Sequence, residues 1–171
     1  MTRYPSWIVR LLPIVLVLAW GLWFGAIVMV FVTVTSLFET FADQKHLAGA
    51  AAAGVFRRFD WLHLIAAAAA VLANAAWLRL GDTGYGRRTA LVVAFALAAG
   101  LAVTSTLAIS RRIDNLRKNG LVDTPEFKKL HGMSMGLYTA EAASLLVAGL
   151  LLPGAIGFAG SVVFLPRTDA A

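Results

Sequence analysis

Four long apolar runs, parted by short polar stretches, set the pattern of this chain. The first, Trp7 to Phe38, is followed by Trp61 to Leu80, Thr89 to Ser110 and His131 to Leu152. Each reaches the roughly 20 residues that an α-helix needs to cross the hydrocarbon core. A signal peptide has an apolar core of only about 7–15 residues. The first run is far longer and shows no obvious cleavage site, so it reads as a retained span. Pro13 stands near its start, where a missing backbone donor matters least. After the fourth run, Pro153-Gly154 predicts that residues 153–166 are either a kinked continuation or a segment lying at the interface.

The connections carry helix signals of their own. Residues 43–60 hold no proline and form a helix leading into the second span, with Asp43 as its candidate cap. "GDTGYG", Gly81 to Gly86, reads as a tight turn. A phosphate loop is the alternative, but no Gly-Lys-Ser/Thr follows and no strand precedes it. "RRIDNLRKNG" extends the third span, with Asp114 and Lys118 four apart and Gly120 as the stop. "DTPEF" then starts the fourth helix before the membrane, with Thr124 as cap and Pro125 at the first helical position. The expectation is an all-α polytopic membrane four-helix bundle, a single membrane domain over residues 1–171, with helical extensions into the larger loops.

Composition agrees with a lipid bilayer as the main partner. Hydrophobic residues make up 60% of the chain and charged ones 14%, where a soluble domain has about a quarter charged. The net charge of +6 falls between apolar runs, which argues for topology and lipid headgroups and against nucleic acid. Counting Lys and Arg on alternate sides gives nine beside the two larger loops and six on the other side. That excess puts the larger loops in the cytoplasm and the termini outside. Richness in Ala and Arg suits a bacterial inner membrane. With no cysteine there is no disulfide, thiolate site or cysteine nucleophile, and no catalytic signature is present, so no enzyme is expected.

The chemistry concentrates in "HGMSMGLYTAE". At 100° per residue, His131, Ser134, Tyr138 and Glu141 share an arc of about 80°. Gly132, Gly136 and Ala140 lie opposite, a small-xxx-small face that lets another helix approach, and Gly21 and Gly25 repeat it on the first span. On the second span, His63 and Asn74 fall within about 20° of each other, with Trp77 nearby. Thr104, Ser105, Thr106 and Ser110 on the third span, with Thr33, Thr35 and Ser36 on the first, are candidate partners. Glu141, near mid-membrane, is either a functional carboxylate or a hydrogen-bonded helix tie. His46 reads as solvated. His63 and His131 start their spans on one side and are candidate ligands for haem or copper, with Met133 and Met135 as soft donors.

"GLWFGAIVMVFVTVTSLFETF", "GVFRRFDWLHL" and "FKKLHGMS" together resemble the transmembrane protein 205-like family, four-span proteins of largely unknown function broadly similar to copper-resistance D-type membrane proteins. The matching elements are Gly21, Gly25 and Phe38; Phe59 and His63; and His131, Gly132 and Ser134. Tyr138 stands where that pattern has Asn, and Glu141 lies outside it. The resemblance implies the four-span fold and an association with copper or, by similar bundles, haem. Three readings follow: a non-catalytic accessory or scaffold subunit that packs as a homo-oligomer or in a larger complex; a haem- or copper-binding protein using His63 and His131; and proton or ion handling at Glu141.

Overall fold

In the computed structural model, residues 6–80 and 85–156 are described. Helix α1 spans Ser6–Thr40, α2 Lys45–Leu80, and α3 Tyr85–Thr104. A π-helical stretch, Ser105–Ser110, joins α3 without a break to α4, Arg111–Lys118, and α5 runs Pro125–Ile156. Four helical rods thus carry the four apolar runs, and no strand occurs among the described residues. In lipid, backbone donors and acceptors must be satisfied within the segment, which apolar helices achieve. The 36 residues of α2 reach about 54 Å, well beyond a hydrocarbon core of about 30 Å. It is therefore longer than one upright crossing requires.

Helix α1 packs along α2, α2 along α3, α3 along α5, and α5 returns to α1, closing an up-down-up-down ring. Large side chains meet small ones inside it. Trp23 and Phe95 stack at 6.5 Å between ring centres, while α2 presents Ala66, Ala70 and Ala73 to the same core. Leu16, Leu91, Leu145 and Leu152 fill the end nearer the α2–α3 connection. The outside is apolar too: Leu72 is 69% exposed and Leu150 75%. Water would penalise such a surface; acyl chains do not.

Local signals explain most boundaries. Gly120 takes φ +71° and ends α4, as a left-handed cap requires. The Phe127 N–H donates to Thr124 Oγ1 at 3.2 Å, and α5 begins at Pro125. Asp114 pairs with Arg117 at 3.6 Å and lies 3.9 Å from Arg57; its sequence-predicted partner was Lys118. Pro13 sits in the second turn of α1, past the free-donor turn, so α1 does lose one backbone bond there. Asp43 stands ahead of α2, which starts at Lys45. Helix α5 continues through Pro153 to Ile156; residues 157–166 and the turn at 81–84 lie outside the described residues.

Candidate functional site: a buried polar chain below a cavity

Three helices bring their polar side chains to one seam. From α5, Ser134, Tyr138 and Glu141 point inward, and from α2 His63 does the same. The third contributor is the π-helical stretch. With i→i+5 bonding each turn holds more residues, so successive side chains advance by less than 100°. Ser105 and Ile109 are buried, and Thr106 and Ser110 half-buried, on one side of that stretch.

Contacts run along the seam in order. Tyr138 donates its hydroxyl proton to Asp60 Oδ1 at 3.0 Å, and Thr106 Oγ1 reaches the same oxygen at 3.5 Å. Thr106 Oγ1 is 2.8 Å from His63 Nε2. On the other side of the ring, His63 Nδ1 lies 3.7 Å from Glu141 Oε1. That is too long for a hydrogen bond, so the pair must close slightly or be bridged by water for a proton to cross. Trp23 Nε1 donates to the same carboxylate oxygen at 2.6 Å. Among the described residues, Glu141 Oε2 has no hydrogen-bond partner, nor do Ser105 Oγ and the side-chain amide of Asn74, all in the bundle interior. Phe59 holds the imidazole edge-on at 4.5 Å between ring centres.

Above Asp60 a cavity of about 500 Å³ opens among the end of α1, the start of α2, α4 and the start of α5. Asp60 and Tyr138 stand in its wall together with Phe56, whose ring stacks on Tyr138 at 5.8 Å. Charged groups ring it: Arg57 and Arg117 beside Asp114, and Glu39. The polar chain thus has an outer end in a cavity and an inner end at Glu141. Past Glu141, α5 presents only Leu145, Ala148 and Leu152 to the core.

A family model described as a domain of unknown function, DUF4149, matches residues 18–121. The chain belongs to that family. No curated protein and no solved structure matches it. The matched segment holds Trp23, Asp60, His63 and Thr106, whereas Tyr138 and Glu141 on α5 lie beyond it.

The residues singled out in this family member's sequence divide sharply. Ser134, Tyr138, Glu141, His63 and Asn74 are buried. His131 is exposed, stacked on Phe127 at 6.2 Å, and borders the cavity, which neither His63 nor Met133 lines. Met133 is 47% exposed. His63 thus lies in the interior, while His131 and Met133 lie at the surface. Among the described residues, no group of three His, Cys, Asp or Glu side chains is placed to hold a metal ion. Around Gly21, Gly25, Gly132 and Gly136 an added Cβ would meet nothing within 4 Å, so none of the four mediates packing inside the bundle. The close approach falls elsewhere, at Gly149, where a Cβ would overlap the Trp20 indole.

Asp60 escaped the sequence reading, although a signal was there. It precedes His63 by three residues and so shares its helix face. Trp23, one residue within the first apolar run, is the hydrogen-bond donor to Glu141. On the far side of the bundle, Arg88 lies over the Trp77 ring at 4.4 Å.

Proposed function

We propose that this family member handles protons, taking them up from one membrane face and holding them at Glu141. The observation that carries this reading is the order cavity, Asp60, Thr106, His63, Glu141, continuous but for the 3.7 Å step between His63 and Glu141. Every group in that order can give or accept a proton. If Thr106 donates to Asp60, it accepts from His63 Nε2–H; Nδ1 then offers its lone pair towards Glu141. Reversing each bond carries a proton the other way. A buried carboxylate inside a membrane bundle is the expected terminus of such a path. Past Glu141 the buried side chains of α5 are apolar, and Asn74 on α2 is an amide that does not titrate, so uptake and release use the same face unless the helices rearrange. By the excess of Lys and Arg, that face is the cytoplasmic one.

Infrared difference spectroscopy tests this. A protonated-carboxyl C=O band that comes and goes with pH is expected in the wild-type protein and absent in Glu141→Gln. His63→Leu should slow its appearance after a pH jump. A band that titrates unchanged in Glu141→Gln would overturn the reading.

A second reading is favoured by the outward, open glycine faces at Gly21/Gly25 and Gly132/Gly136. On it the bundle is an accessory or scaffold subunit that meets another helix there, as a homo-oligomer or in a larger assembly. The finer kinship with transmembrane protein 205-like proteins is part of the same proposal. Both readings are compatible, because the polar chain points in and the glycines point out.

A further inference from the structure

The cavity contains a carboxylate that lacks a counter-charge. Among the described residues, no Lys, Arg or His pairs with Asp60; its partners are the neutral hydroxyls of Tyr138 and Thr106. The two arginines at the cavity are both turned to Asp114, at 3.9 and 3.6 Å. The cavity's basic side chains, Arg57, Arg117 and His131, leave Asp60 unpaired, and Glu39 stands exposed at the mouth. A half-buried carboxylate without a cation is costly, and a bound cation would remove that cost.

The surroundings of Asp60 say what kind of cation. Val34, Phe38, Phe56, Ile113 and Met135 make most of the wall apolar, and the Phe56–Tyr138 stack flanks the carboxylate. A metal ion takes six or more oxygen ligands, and beside Asp60 it would find only the hydroxyls of Tyr138 and Thr106, with Asp114 already paired to the arginines and Glu39 exposed at the mouth. Aromatic faces attract organic cations instead. A volume of about 500 Å³ lies within the range of small-molecule sites. A zwitterionic lipid headgroup would also need a free basic partner for its phosphate, and Asp114 already engages both arginines.

We infer that this cavity binds an amphipathic organic monocation, its charge against Asp60 and its apolar body against Phe38, Phe56 and Tyr138. The inference goes beyond proton handling and does not depend on it: binding is read at one fixed pH, apart from any titration of Glu141.

Calorimetry on the purified full chain in a non-ionic detergent tests it with two probes of one shape and opposite charge. Tetraphenylphosphonium is expected to bind saturably at one site, and tetraphenylborate is not. Asp60→Asn should weaken tetraphenylphosphonium at least tenfold. Gly49 lines the cavity and has open space at its Cβ position, so Gly49→Leu should fill the cavity and weaken binding without touching a charge. It serves as the test should Asp60→Asn fail to fold. No saturable tetraphenylphosphonium binding, binding unchanged in both variants, or preference for tetraphenylborate would each overturn the inference; the last would make the arginines the site.

Discussion

Trp23 and Glu141, 118 residues apart in sequence, meet at 2.6 Å across the centre of the bundle, indole N–H to carboxylate oxygen. This bond ties α1 to α5, which otherwise share fewer contacts than α1 does with α2. Trp23→Phe keeps most of the apolar volume and removes the donor. A loss of about 1–3 kcal/mol is expected, the cost of leaving a buried polar group short of a partner. Thermal unfolding in detergent measures it. In a double-mutant cycle, Glu141→Gln retains an acceptor and should preserve part of the coupling, whereas Glu141→Leu should abolish it.

The two histidines near the starts of the second and fourth apolar runs should behave oppositely. His63 is fully buried and contacts Phe59, Thr106 and Glu141, so His63→Ala leaves a cavity and removes the nearer of the Thr106 hydroxyl's two partners. A loss of about 2–4 kcal/mol is expected. His131→Ala, at an exposed position, should change stability by about 0.5 kcal/mol or less. Equal effects on the unfolding midpoint would contradict this placement.

Glycine substitutions should separate internal packing from assembly. Gly149→Ala pushes a methyl into the Trp20 indole, whose N–H is fixed on Leu145 O at 2.8 Å. About 1–3 kcal/mol of strain is expected, with loss of thermal stability. Gly136→Leu meets open space and should leave the monomer's unfolding midpoint nearly unchanged. If α5 is an assembly face, the same change should lower energy transfer between labelled copies in liposomes.

Tyr138→Phe removes the donor to Asp60 while keeping the stacks on Phe56 and Phe59. A cost of about 1.5–3 kcal/mol is expected for a bond to a charged acceptor and about half that for a neutral one. Comparing Tyr138→Phe in wild-type and Asp60→Asn backgrounds by denaturation distinguishes the two.

The far end of the third rod offers a local test. Gly120 has φ +71°, so Gly120→Ala should destabilise the α4–α5 turn by about 1 kcal/mol. Its effect should appear as faster amide exchange at residues 117–124 and leave the Trp23–Glu141 region unaffected.

Much of this architecture follows from local chemistry, and for that reason it was legible in the sequence. Unbroken apolar runs must become helices in lipid, Gly120 and Thr124 mark a stop and a start, and the 100° step already set Ser134, Tyr138 and Glu141 on one face of α5, opposite Gly132 and Gly136. What a helix face meets depends on neighbours far along the chain, and this the residue pattern did not contain. The pairing of Glu141 with Trp23 needed α1 and α5 to be adjacent. Asp60 took on meaning only when α5 brought Tyr138 beside it, and the π-helical stretch turned Thr106 towards His63. The two histidines look equivalent as letters, each at the start of a span. Packing separates them, because α3 and α5 cover the inward face of α2 while the first turns of α5 leave His131 uncovered.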